Sequence, residues 1–282
     1  MFNQNIKSPV NIPVSKIHPF EGNPYKVLDN EEMNFLIESI QQQGIISPVV
    51  VRPLENTKDE YEVISGHRRL RASVKAGLET VPAFIYAINR DEAAIMLVDS
   101  NLHREHILPS EKAFAYKLKL EAMKHQGITC GQVGHKSRDE ISDTDSGRQI
   151  QRYIRLTYLI PELLELVDEK RIAFTPAVEL SYLTDEEQYA LLDAIELEER
   201  TPSLSQAVRF KKLSQTGELS YEDIDTIMQE DKANQKPMFK VSMERLQKVA
   251  PKVKDKDFED FVLKACEHYY RYLQRQRNRD AR

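Results

Sequence analysis

Between Gly66 and Gly77 the chain carries Arg68, Arg69, Arg71 and Lys75 and no acidic residue. Glycine lets a backbone approach a ligand closely, and the free N–H groups and dipole of a helix that starts there favour an anion. Arginine forks grip phosphate oxygens in pairs. The run Gly66-His67-Arg68-Arg69-Leu70-Arg71-Ala72 therefore has two readings: a phosphate site, or a basic and solvated first helical turn. Spacing alone does not choose between them. A second constellation is Asp99-Ser100-Asn101-Leu102-His103-Arg104. There Asn101, together with Asp91, has oxygens to offer a magnesium ion carried by a triphosphate. The competing reading, a polar helix terminus, is the one the residues alone favour.

A third set lies in Ser146-Gly147-Arg148-Gln149-Ile150-Gln151-Arg152-Tyr153-Ile154-Arg155. Arg148, Arg152 and Arg155 recur at i, i+4 and i+7 and so share one stripe, while Ile150 and Ile154 recur on another side. Arginine pairs with guanine edges in a major groove and glutamine with adenine. Ser146, Arg148, Gln149, Gln151, Arg152 and Arg155 are thus candidate DNA contacts. The alternative is an exposed amphipathic helix with solvated arginines.

These residues need elements to hold them. Met33, Leu36, Ile37 and Ile40 fall at i, i+3, i+4 and i+7, and Gly44 can end that helix in a left-handed turn. Ile45 to Val51 reads as a buried strand with Pro48 near its start, Tyr61 to Ile64 as a second strand, and Val81 to Ile88 as a third. The second strand runs into Gly66 and a helix ending near Gly77. Strand, helix, strand implies a small α/β domain. From about residue 91 the pattern is helical: Asp91–Leu102, then Pro109–His125, opened by Pro109 or Ser110 and closed by Gly127. Capping boxes at Ser137 with Glu140 and at Ser146 with Gln149 begin two further helices. The turn Ser142-Asp143-Thr144-Asp145 separates them, and its aspartates are expected to cap the second. Thr175-Pro176 opens a helix through Leu183, and an acidic helix with a solvated face follows.

The 282 residues suffice for two or three domains. A net charge of −5 argues against a general nucleic-acid coat, and leaves room for a reader whose positive charge is concentrated locally. Cys130 and Cys266 are far apart and outside any CxxC spacing, which points to a reducing compartment and against structural zinc. Nothing is long and apolar enough to span a bilayer, and Met1 to Asn5 has neither a basic start nor an apolar core, so a cytoplasmic protein without a membrane partner is expected.

Taken together, Asn23-Pro24-Tyr25-Lys26, Gly44 to Pro48, the Gly66–Ala72 run and Asn101-Leu102-His103-Arg104 resemble the successive boxes of the ParB family, in order, across residues 12–215. The family pattern is Gly-Glu-Arg-Arg-x-x-Ala, then Glu-Asn-x-x-Arg, then a helical DNA-binding domain. The resemblance implies an α+β chain: a ParB-like CTP-binding domain over 12–104, a helix-turn-helix domain over 105–215, a linker over 216–237 and a C-terminal dimerisation domain over 238–282. It implies that Gly66, His67, Arg68, Arg69, Arg71 and Ala72 contact the triphosphate of CTP, that Asn101 lies on the magnesium side, and that Arg104 closes the second box. His67 stands in place of the family glutamate. Ser100 stands where the acidic residue of Glu-Asn is expected, so CTP binding is expected and at most weak CTPase activity.

The implied partners are double-stranded DNA with a palindromic site and a second copy of the chain, on the nucleoid. Met1 to Val10 has Lys7 as its one cation and lacks the arginine-bearing motif that stimulates a ParA-type ATPase, which weighs against that partner. At the other end, Phe239, Val241 and Met243 alternate with Lys240 and Ser242 as one strand, and helices from Glu244 and Phe258 follow. This resembles a ribbon-helix-helix dimer. Phe261, Ala265, His268 and Tyr272 form a seam expected to pack in a core. Three functions compete: a CTP-gated clamp for plasmid, mobile-element or chromosome partition, a transcriptional regulator or nucleoid-occlusion-type factor, and a phosphotransferase on the same scaffold.

Overall fold

The computed structural model describes residues 8–104, 106–126, 145–230, 247–250, 253 and 258–280. The chain divides into two compact units, Met1–Glu230 and Asp231–Arg282.

The first unit opens with a five-stranded mixed sheet in the order β1-β5-β3-β4-β2. Its strands are β1 (Val10–Pro13), β2 (Ile17–His18), β3 (Val49–Pro53), β4 (Tyr61–Ser65) and β5 (Thr80–Ile85). β3 pairs antiparallel with β4 and parallel with β5, while β1 runs antiparallel to β5 and β2 parallel to β4. β3 begins after Pro48, later than the expected Ile45. Ile46 is 78% exposed, and proline has no N–H to give a ladder, so pairing starts only at Val49.

Successive side chains of a strand face opposite ways, and β4 shows it: Val63 joins Ile12, Val49, Val51 and Val81 on one side, Ile64 joins Phe20, Tyr25, Leu97 and Val98 on the other. Arg52 and Glu62, opposite each other across β3 and β4, are each 3% exposed and joined Nε to Oε2 at 2.8 Å. Helix α1 (Glu31–Gln43) is started by Asn30, whose Oδ1 accepts from the Met33 N–H at 3.1 Å, and ends at Gly44 with φ +71°. It packs through Met33 and Ile40 on Ala72 of α2 (His67–Lys75).

Helix α3 (Arg90–Asn101) has a reciprocal cap between Asn89 and Glu92, and α4 (Pro109–His125) has Pro109 in its first turn. α4 is shared. Its Ala115 and Ala122 belong to the core built on Phe20, Tyr25, Ile64 and Leu97, and its Ala113 to the core of the helices that follow. Those are α5 (Gly147–Leu156), α6 (Pro161–Asp168), α7 (Phe174–Leu180), α8 (Asp185–Glu198), α9 (Leu204–Thr216) and α10 (Tyr221–Gln229). Buried Gln188 closes the turn between α5 and α6: its Oε1 accepts from the Ile160 N–H at 2.8 Å and its Nε2 donates to the Tyr158 carbonyl at 3.1 Å.

Residues 221–229 fall within the stretch expected to be a linker. They form α10, capped reciprocally by Ser220 and Asp223, and it buries Ile224, Ile227 and Met228 in the helical core. Apolar residues at i, i+3 and i+4 give this short segment a face to bury.

In the second unit, α11 (Phe258–Asp280) exposes Phe261, Ala265, His268 and Tyr272, so the seam expected in a core faces outward. The expected helix at 137–141, turn residues 142–144, the stretch 233–237, the strand at 239–243 and Cys130 lie outside the described residues. Among the described residues no helix is long and apolar enough to cross a membrane.

Candidate functional site

The centre of the site is the β4-to-α2 junction. Gly66 has φ +97° and ψ +26°, and a Cβ there would come within 3.0 Å of Arg69 Nη2 and of Val49 Cγ1. Both the backbone angle and the space demand glycine. The turn drops the chain straight from the sheet edge into α2, whose first residues border a cleft of about 630 Å³. Gly66, His67, Arg68, Arg69, Asn101 and Arg104 all line it. Those expected contacts, distant in sequence, are brought together.

Each cation has a distinct setting. Arg68 donates from Nη2 to Glu32 Oε2 at 2.9 Å, while its Nε is buried with no hydrogen-bond partner. Arg69 donates from Nη1 to the carbonyls of Ser47 and Pro48, the latter at 2.8 Å, and so ties the segment before β3 to α2. Burial lowers its affinity for the proton. Arg104 lies over the Tyr25 ring at 5.9 Å. Tyr25 is itself buried, which pushes its phenol well above the ordinary value. His67 carries a buried Nε2 without a partner; burial first, and then the Arg104 charge, hold its pKa down at about 4. The first turn of α2 therefore presents orphaned polar atoms beside a cationic cleft, an arrangement that an anion would satisfy.

The structure does not bring every expected residue to this cleft. Arg71 forks onto Asp29, Nε to Oδ1 at 2.7 Å and Nη2 to Oδ2 at 2.6 Å, and Lys75 joins the same carboxylate at 2.7 Å. Ala72 is fully buried between α1 and α2. Both lie outside the lining.

The magnesium pair is separated as well. Asp91 and Asn101 stand at opposite ends of α3, about 15 Å apart at 1.5 Å per residue. Asp91 faces His125 Nδ1 at 3.2 Å, and Asp99 is bonded to Lys119. Asn101 gives its Nδ2 to the Leu97 carbonyl at 2.8 Å, and Ser100 gives its hydroxyl to the same carbonyl at 3.0 Å. Among the described residues no group of three or more His, Cys, Asp or Glu side chains could hold a metal ion. These residues do not fit a protein-held magnesium site.

The far wall is Asn23 to Lys26, a box that the resemblance marks without assigning it a contact. Asn23 accepts the Tyr25 N–H at 3.1 Å in an Asx-turn, which projects Tyr25 inward and sets Lys26 at the cleft mouth. The Lys26 N–H donates to Glu111 Oε1 at 2.9 Å, and its ammonium lies 3.7 Å from Asp168, a carboxylate that also accepts from Ser110. The Asn23-Pro24 pair signals the turn, but the partners of Lys26, Glu111 and Asp168, lie more than eighty residues away.

The second candidate surface is α5. Ser146 starts it, accepting the Gln149 N–H at 3.3 Å, but the return bond of a capping box is absent: the Gln149 amide oxygen accepts from Arg152 at 3.2 Å instead. Asp145, just ahead of Ser146, takes Lys112 and the Tyr116 hydroxyl and so pins the start of α5 to α4. Arg148 is exposed. Arg152 stacks on Phe174 at 4.9 Å and donates to Thr175 Oγ1 at 3.0 Å. Arg155 donates to the Ser181 hydroxyl and carbonyl at 3.1 and 2.6 Å, with Tyr182 and Tyr158 stacked on it at 4.0 and 4.5 Å. The expected stripe of arginines thus divides: Arg148 open, Arg152 and Arg155 joined to α7 and its C-terminal turn.

A small mixed α/β domain with a cationic cleft at a strand-to-helix turn, continuous with a helical region, is the class of protein defined by this geometry. Residues 3–102 match the ParB N-terminal domain. The chromosome-partitioning protein Spo0J of Thermus thermophilus is 33% identical over 163 residues, 58% of this chain and 56% of that one. A nucleoid occlusion protein of Geobacillus is 43% identical over 110 residues, 39% of this chain and 38% of that one. The chain spans about half the length of the curated relatives it matches. Among solved structures, C-terminally truncated ParB of Caulobacter crescentus complexed to the centromeric parS site is 20% identical with a TM-score of 0.43, covering 78% of this chain and 98% of that one.

Proposed function

We propose that this chain is a ParB-type DNA-binding protein whose N-terminal cleft takes CTP and whose α5 enters the major groove of a palindromic site. The carrying observation is the cleft: Gly66 delivers the chain into a helix start where Arg68 Nε and His67 Nε2 are buried without partners, with Arg104 and Lys26 alongside. A triphosphate supplies acceptors for such donors. Magnesium would arrive as the counter-ion of the triphosphate, since no carboxylate set here is built to hold it. Ser100 gives no negative charge to polarise a water, so the nucleotide is bound more readily than hydrolysed. The names of the relatives favour partition or nucleoid occlusion, with a second copy of the chain making the two-fold reader. A ParA-type partner is the weaker part of the reading, and so is phosphotransfer, for which the cleft offers no catalytic carboxylate besides Glu32, already paired with Arg68.

Calorimetry with CTP, ATP, GTP and UTP in magnesium buffer tests the cleft. CTP should bind to the wild type and not to Arg68→Ala. No CTP binding, or unchanged affinity in the variant, overturns the assignment.

A further inference from the structure

We propose that a polyphosphate enters this cleft together with a proton, which His67 takes up as the ligand binds. The inference rests on reading the cleft as a phosphate site.

His67 is the first residue of α2 and lies on the wall shared by the cleft and an adjoining apolar groove formed by Ile17, Pro19, Val63 and Leu70. Its Nε2 is buried and meets no hydrogen-bond partner. Charged neighbours around the cleft come from every side. The loop before α1 brings Lys26 and the phenol of Tyr25; α1 brings Glu32; α2 itself brings Arg68 and Arg69; the turn after α3 brings Arg104. Glu32 is the one carboxylate of that set, and it is engaged with Arg68. On the groove side, Arg71 and Lys75 share the single carboxylate of Asp29, which leaves that side with a surplus positive charge. Without a bound anion an imidazolium would thus be a buried cation among cations. Burial and Arg104 keep the ring neutral, with a pKa of about 4.

A triphosphate inverts that balance. It brings several negative charges against the same cations and places oxygens where Nε2 lacks a partner. An Nε2–H donating to a phosphate oxygen is a charge-assisted bond, which the imidazolium makes best. The proton comes from solvent, and no bond of the ligand is made or broken. By linkage, affinity then rises as the pH falls, by up to about tenfold per pH unit where a full proton is taken up.

The test is calorimetry of magnesium–CTP binding to the whole protein at pH 7.5 and 6.5, each in two buffers of different ionisation enthalpy, for wild type and His67→Gln. Subtracting the variant removes the nucleotide's own titration. The wild type is expected to take up on the order of one proton more than the variant at pH 6.5, and to gain several-fold more affinity between the two values. In parallel, the imidazole proton resonance of His67 in the wild type should move to its imidazolium position on adding CTP at pH 6.5. Equal proton uptake in both proteins, or a resonance that stays neutral in a protein that binds CTP, overturns the inference and leaves the cleft assignment standing. Failure of both proteins to bind CTP overturns the assignment and the inference together.

Discussion

Arg71 and Asp29 form a forked pair, with Nε and Nη2 of the arginine donating to separate carboxylate oxygens at 2.7 and 2.6 Å. The pair fastens α2 to the segment ahead of α1 and, with Lys75, holds the Asp29 carboxyl well below the usual range. It also takes Arg71 away from the cleft.

The expected outcome is a sharp contrast between neighbouring arginines. Arg68→Ala should abolish CTP binding, whereas Arg71→Ala should leave the affinity within about threefold, since truncating an exposed pair removes little. Glu32→Gln should tighten binding several-fold by releasing Arg68 for the ligand. Calorimetry at fixed salt reads all three, and a loss in Arg71→Ala equal to that in Arg68→Ala would contradict the geometry.

His67 makes the stability of the ligand-free protein depend on pH. Its folded value of about 4 lies below the ordinary 6.5. Between these values the unfolded chain binds the proton and the folded one does not. The contribution is therefore complete above pH 6.5 and is lost as the pH falls toward 4, at about 1.4 kcal/mol per pH unit. Urea unfolding of wild type and His67→Gln across that window should show the variant with the shallower slope; parallel curves would refute it.

The α5 arginines should separate into two classes. Arg148→Ala is expected to weaken binding to a cognate palindrome by about 1–3 kcal/mol without moving the thermal midpoint. Arg155→Ala loses the bonds to Ser181 and the stacking on Tyr182, and should destabilise the fold by about 1–2 kcal/mol. Shift assays paired with thermal melts distinguish them.

Glu62→Ala should cost about 3 kcal/mol, because it leaves the buried Arg52 guanidinium with only the exposed Glu55 carboxylate, 3.5 Å from Nη1. Replacing both partners, as Arg52→Met with Glu62→Leu, should recover much of that loss. Chemical denaturation measures each, and a single variant as stable as the wild type would show that Arg52 finds another acceptor.

Much of this is legible in the amino-acid sequence itself. The glycine at position 66 marked the strand-to-helix turn because a left-handed backbone and a following cationic run coincide there, and Ser146 marked the start of α5. Other features were out of reach. β2 has two residues, Ile17 and His18, too few for any periodicity, and exists because β4 offers it a parallel edge. Arg69 and Arg71 look alike on paper. Their roles diverge only because carbonyls of Ser47 and Pro48 meet one and Asp29 meets the other. Arg155 finds Ser181 twenty-six residues later. Apolar spacing could not tell the outward-facing Phe261 from a core residue, since the same period serves both.

Helix α4 lends one flank to the sheet domain and another to the helices beyond it, with Ala115 and Ala122 on one side of the account and Ala113 on the other. Scissors applied at residue 104, where motif boundaries invite them, would leave each fragment with an open wound of bare hydrocarbon. The sheet half should be recovered in usable form only when it is excised along with 109–125, and melting of residues 8–230 should proceed as a single event.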